Sequence, residues 1–275
     1  MQFPRTNKSE QTVTIDFRAL TRRKVISRRS PIDDYYDHRS TLLANSLPTA
    51  TTPDPTLLQA LLLGVISSTE YFFRDILARL VRICPFSRST SSNQVLSLGA
   101  VDYCGLEHLG FGLMENTSFA DPKTISQATQ KFLGLTWNNG SSVASAIAEF
   151  GKICQIRHAI VHSRGHLGDR NARELGLALR ELHELCLSLI GFQDLLLVCD
   201  NVVRAYNRFI FEKTVERWIN TGKLVGDWSN DKEAWCQLFS CCYSTTDAEG
   251  TPRPYQAWRK IKSEAKASAT AQGFI

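Results

Sequence analysis

Along most of this chain apolar residues recur at the three- and four-residue spacing of helices, and almost nowhere at the two-residue alternation of strands. Ser30-Pro31 predicts a helix start, with serine as N-cap and proline in the first turn, and the helix runs through Tyr35, Tyr36, Leu42 and Leu43 to about Leu47. A Thr/Pro/Ala linker covers residues 48–55. Asp54-Pro55 then caps the longest helix of the N-terminal half, Thr56 to about Ile83, which Pro85 ends. Its apolar residues, from Leu57 and Leu58 to Leu77 and Leu80, cover more than one face, so it must touch several other helices. Glu70 interrupts that surface, with Arg74 one turn on. Glycines at 99, 105, 110 and 112 break residues 94–113 into short helices.

Asp121-Pro122 caps a helix over Lys123 to Leu135, and Asn138-Asn139-Gly140 turns the chain. Ser141 or Ser142 starts the next helix, Val143 to about Ser163, with apolar positions at Val143, Ile147, Phe150, Ile153 or Cys154, and Ala159 to Val161, and Gly165 as its stop. Asp169 caps a further helix from Arg170; Leu185 to Leu189 reads either as its tail or as a short strand. A long helix from about Phe192 to Ile219 closes at Thr221-Gly222. Residues 223–275 are dense in aromatics (Trp228, Trp235, Phe239, Tyr243, Tyr255, Trp258) and end in a basic segment. With no internal repeat, the fold expected is all-α: an antiparallel helical bundle with helical extensions at both ends. The units are a basic N-terminal arm with one helix (1–50), the bundle (51–222) and an aromatic-rich helical appendage (223–275).

Composition adds little until it is localised. The chain is 43% hydrophobic and 21% charged, with a net charge of +5. Residues 1–30 hold more than the whole of that excess: Arg5, Lys8, Arg18, Arg22, Arg23, Lys24, Arg28 and Arg29 stand against Glu10 and Asp16 alone, a net of +6 that leaves the remainder at −1. Such an arm is either a solvated tail or a contact for a polyanion such as RNA. The eight cysteines are scattered and form no CxxC pair. The N-terminus lacks the apolar segment of a secretory signal, so free thiols in a reducing cytosol are expected. Leu57–Ile66 is broken by Ser67-Ser68-Thr69-Glu70 before it reaches the ~20 apolar residues of a membrane span, and reads as a core helix.

The polar cluster Gln155 to Gly165 stands out because it ends an otherwise apolar helix. His158 and His162 are four apart and share a face. His166 would extend them into a metal-like series, but Gly165 breaks the helix first and no glutamate lies between His158 and His162, so no metal or other cofactor is assigned. Arg157 and His162 are five apart, about 140° around a regular helix. They converge either through a loosened or π-bulged last turn, or when two copies of the helix meet across a two-fold axis. The second geometry suits metal-free RNA cleavage, which needs a base for the 2′-OH, an acid for the leaving 5′-oxygen and a cation for the pentacoordinate phosphate. Histidine supplies the first two and arginine the third.

Arg157-His158-Ala159-Ile160-Val161-His162 resembles the motif of the higher eukaryotes and prokaryotes nucleotide-binding (HEPN) ribonucleases: arginine, a polar residue, a short spacer and histidine, at the end of a helix in an α-bundle. The earlier helix with Thr69-Glu70-Tyr71-Phe72-Phe73-Arg74 resembles the family's first long helix, and the likeness spans roughly residues 55–220. The resemblance implies a metal-independent endoribonuclease that acts as a homodimer on tRNA or mRNA. Many such enzymes are toxins or effectors of prokaryotic defence, restrained by an antitoxin or ATPase partner. It gives Arg157 to the phosphate, His162 to proton transfer and His158 to orienting the pair or contacting RNA. From its position Glu70 either holds Arg157 or pairs with Arg74 one turn away. Two further readings stay open: a non-catalytic RNA- or nucleotide-binding or scaffold bundle, and a helical interaction protein. Arg164 and His166 fit favourable contact with the helix dipole and lie outside the expected site.

Overall fold

The computed structural model describes residues 14–22, 27–46, 53–178, 180–248, 250 and 253–274. The basic side chains at 5, 8, 23 and 24 and most of the Thr/Pro/Ala linker lie outside this set. The described residues are all-α, apart from two strands of two residues each. In order, α1 is Pro31–Ser46, α2 Pro55–Ile83, α3 Pro85–Ser91, α4 Leu98–Cys104, α5 Leu109–Leu113, α6 Pro122–Leu133 and α7 Ser142–Ser163. After strand β1 (His166–Leu167) come α8 (Asp169–Glu174), strand β2 (His183–Glu184), α9 (Leu189–Asn220), α10 (Trp228–Cys242), α11 (Pro254–Trp258) and α12 (Lys262–Ala271).

The caps explain where the helices begin. Asp54 accepts from the Thr56 N–H at 2.7 Å and Asp121 from the Thr124 N–H at 3.0 Å, each with proline next in sequence. Ser141 and Ser188 take the N–H groups of Ala144 and Gly191 in the same way, satisfying donors that a helix start leaves open. The Ser188 cap starts α9 one turn earlier than its apolar spacing predicts.

α2 and α9 form the centre. Phe72 and Phe73 of α2 are both buried, because α2 is enclosed on several sides. Phe73 meets Tyr206 of α9 edge-on at 4.8 Å, Phe150 of α7 at 6.0 Å and Phe119 at 6.1 Å. α5 crosses α2 closely enough that a Cβ on Gly110 would lie 2.8 Å from the Ala78 backbone, which excludes any larger residue there. α2 has the length and composition of a membrane span, with a best mean hydropathy of 1.3, yet half of that stretch is buried inside the protein. Residues 223–275 share this core: Trp235, Leu238, Trp258 and Ala265 join the same buried cluster as Leu62 and Val203.

α1 is tied to the far end of the chain. The Asp33 carboxylate accepts from Ser244 Oγ and from the Thr245 N–H and hydroxyl, at 2.8–3.0 Å. Tyr36 donates to Asp247 at 2.8 Å, and Tyr35 and Arg39 both reach Asp200 of α9. Burial alone would raise the Asp33 pKa, but these donors outweigh it and hold the carboxyl below its ordinary value. A folded-state pKa below the unfolded one stabilises the fold above the unfolded value of about 4 and loses that contribution as pH falls through the folded value. Asp33→Asn is therefore expected to lower stability by about 2 kcal/mol at neutral pH and to flatten the acid limb of a pH-stability curve measured by urea unfolding. A variant as acid-sensitive as the parent would contradict this role.

Two expectations are corrected between α7 and α9. Asp169 does not cap a long helix: it lies inside the six-residue α8, and its carboxylate holds Arg173 Nε at 3.0 Å. Gly176, at φ +71°, turns the chain out of the helix before a second turn can add. The strand falls at His183–Glu184, two residues before the stretch expected to supply it, and pairs antiparallel with β1.

Candidate functional site

The last two turns of α7 carry the polar cluster, and neighbouring elements fix them from three sides. α2 lies against the inner face. α8 supplies Asn171, whose Nδ2 donates to the Gln155 carbonyl at 2.9 Å and its side-chain oxygen at 3.2 Å. The β1–β2 hairpin closes the end, with the Leu185 N–H donating to the Gly165 carbonyl and Gln59 of α2 holding the Leu185 carbonyl at 3.0 Å. Asn171 is buried and carries no spacing signal, so nothing in the sequence singles it out.

The helix ends at Ser163 with Gly165 just past its cap, as expected, but the cap residue is already left-handed: Arg164 stands at φ 52° and ψ 34°. Among the described residues it is the sole non-glycine with positive φ. Gly165 follows at φ +95°, and the N–H groups of Arg164 and Gly165 both reach the Ala159 carbonyl. Left-handed backbone costs a residue with a Cβ about 1 kcal/mol. Arg164→Gly is thus expected to stabilise the fold by about 0.5–1 kcal/mol in thermal or urea unfolding; destabilisation would show that the arginine side chain holds the turn.

Arg157 points back towards α2. Its Nε lies 3.7 Å from Glu70 Oε1, with the arginine side chain 35% and the glutamate 16% exposed. Burial raises the Glu70 pKa, against the charges of Arg157 and Arg74 and the N–H of Phe119. Arg74 is drawn elsewhere: its Nη2 donates to the Thr117 carbonyl at 2.8 Å and its guanidinium lies over the Phe119 ring at 5.6 Å. Of the two partners open to Glu70, Arg157 on the neighbouring helix is the one within ion-pair distance. Cys154 sits one turn before Arg157, buried, and burial together with the Glu70 charge pushes its thiol far above the ordinary range. It is not a nucleophile.

His158 and His162 point the other way. Both are exposed, with ring centroids 4.5 Å apart and 47° between planes. The helix stays regular through Ser163, and its wide closure on the Ala159 carbonyl comes after His162. The loosened last turn that would join Arg157 to His162 within one chain is therefore absent from the helix at these residues, and the two stand about 140° apart. His166 lies on β1, past the break, so the three histidines do not converge. Among the described residues no group of three or more His, Cys, Asp or Glu is arranged to hold a metal ion.

The cavities lie elsewhere. One of about 550 Å³ runs beside the second half of α2, lined by Arg79, Arg82, Arg88 and His108. Another of about 400 Å³ lies between α1 and α2. Neither includes Arg157, His158 or His162. No protein-family model, curated protein or solved structure matches the chain.

Proposed function

We propose that the chain is a metal-independent endoribonuclease of the type that its motif resembles, acting in a reducing cytosol as a homodimer. The observation that carries the reading is the division of α7: a guanidinium held from behind by Glu70, and two exposed imidazoles on a different face of the same helix. Each copy then brings half a site. Where two such helices meet, two arginines and two histidines flank one scissile phosphate.

On this reading one His162 removes the 2′-OH proton as that oxygen attacks phosphorus. The His162 of the second copy protonates the departing 5′-oxygen, which leaves a 2′,3′-cyclic phosphate and a 5′-OH. Arg157 binds the non-bridging oxygens, bidentate and always charged, where charge accumulates in the transition state. Glu70 orients that guanidinium. At 3.7 Å the pair is loose enough for Arg157 to present an N–H edge to phosphate without giving up the carboxylate. His158, in contact with the His162 ring, orients it or reaches the RNA. The expected substrate is tRNA or mRNA, and a partner or antitoxin is required to spare the host.

The test is cleavage of total RNA by the purified full chain in EDTA, with the ends analysed. Cyclic phosphate termini and growth arrest on overexpression support the reading. Strict magnesium dependence, or a strictly monomeric enzyme that cleaves at full rate, rejects it.

A further inference from the structure

A separate cavity of about 290 Å³ opens between α9 and the end of α10. Phe211, Phe239 and Tyr243 form its walls, and Asn207, Arg208 and Asp247 also line it. The α10 rings belong to a ladder at i, i+4 spacing: Trp235 stacks on Phe239 at 6.1 Å and Phe239 on Tyr243 at 4.9 Å, with 19° between the last two planes. The Tyr243 hydroxyl donates to the Gly250 carbonyl at 3.0 Å, which holds the terminal ring in place. All three wall aromatics are only half-buried, so ring surface remains for another planar group.

Two polar groups here, Asn207 Oδ1 and the Arg208 guanidinium, have no partner among the described residues. Asn207 is 8% exposed, and its Nδ2 donates to the Cys242 carbonyl at 2.7 Å. That bond fixes the amide and leaves the buried Oδ1 without a donor, an arrangement that native interiors rarely leave unexplained. Arg208 is exposed at the rim and has no ion pair among the described residues. Asp247, by contrast, is engaged by the Tyr36 hydroxyl and by Arg204.

We propose that this cavity binds a purine nucleotide, with the base stacked on the Phe239–Tyr243 ladder, a base N–H donated to Asn207 and the phosphate on Arg208. Aromatic rings stack bases well, and an unpaired guanidinium is the usual receiver of phosphate. The same chemistry is presented by a free purine nucleoside monophosphate and by a purine in a single RNA strand. This site rests on α9 and α10 rather than on α7, so it stands or falls independently of the ribonuclease reading.

The experiment titrates the full chain with AMP, GMP, adenosine and inorganic phosphate by calorimetry. The variants are Arg208→Ala, Tyr243→Leu, Arg157→Ala and His162→Ala. Saturable binding of AMP or GMP is expected, weakened about fivefold or more in Tyr243→Leu, the equivalent of the lower end of base–aromatic stacking. Arg208→Ala is expected to weaken AMP while leaving adenosine unchanged, a split that needs no aromatic variant to fold. Arg157→Ala and His162→Ala are expected to leave binding as it is. Competition by a short single-stranded oligoadenylate at lower concentration than AMP identifies an RNA strand as the source, and at higher concentration a free nucleotide. No saturation by either nucleotide, loss of binding in Arg157→Ala, or tighter binding of a phenylalanine dipeptide than of either nucleotide overturns the proposal.

Discussion

His162→Ala is expected to reduce RNA cleavage by about 10²–10⁴-fold, the range for loss of a positioned general acid or base, and Arg157→Ala by a comparable factor through loss of the phosphate cation. His162 is exposed and Arg157 half-exposed, so neither change should unfold the protein, and circular dichroism of the variants serves as the control. The stronger version of the experiment mixes wild-type and His162→Ala subunits at a constant total after a cycle of unfolding and refolding. If each site needs a histidine from both copies, only wild-type pairs work, and an equal mixture retains about a quarter of the wild-type rate by random pairing in a two-fold dimer. If each chain is complete by itself, half the rate survives. Retention of half would sink the shared site while leaving the chemistry in place.

The second large effect concerns the fold. Asp231 of α10 is fully buried and accepts from the Val225 N–H at 2.9 Å, the Gly226 N–H at 3.0 Å and the Trp258 indole N–H at 3.0 Å. Removing it strands three donors in the interior. Each buried donor left without an acceptor costs about 1–3 kcal/mol, and they share one site, so Asp231→Ala is expected to destabilise by about 3–5 kcal/mol. Asp231→Asn keeps one acceptor oxygen and should lose roughly half as much on the same reasoning. Urea unfolding followed by tryptophan fluorescence reads both. A loss below about 1 kcal/mol for the alanine variant, the worth of a single ordinary hydrogen bond, would mean that water replaces the carboxylate and that the turn before α10 is not held by it.

These two sites show what is legible in sequence and what is not. Asp54-Pro55, Asp121-Pro122 and Ser141 place helix starts to within a residue, because a cap is a local device: a side chain two or three residues from the N–H groups it serves. The facing of His158 and His162 is likewise a matter of i, i+4 spacing on one helix. What escapes is contact between distant segments. Nothing in the sequence singles out Asp231, and only the fold brings Trp258 to it. The choice of Glu70 between Arg74 and Arg157 is equally non-local, settled when Thr117 and Phe119 take Arg74 away. Asp169 is different, because its partner is local: Arg173, four residues on in the same short helix, holds the carboxylate that the local pattern assigns to a cap.

Arg157 and His162 ride a single unbroken helix, about 7.5 Å apart along its axis, clamped by α2, α8 and the hairpin. While α7 stays helical, the backbone holds the two on different faces. On the proposed reading, the adjustable coordinate is therefore the angle at which two copies meet. An inhibitor then has no need to cover a catalytic group: a wedge that splays the two helices by a few degrees disarms both halves at once, and its withdrawal re-arms them. Control would be mechanical, exerted on the pair as a lever, and variants insensitive to it would map to whatever surface sets that angle rather than to the motif.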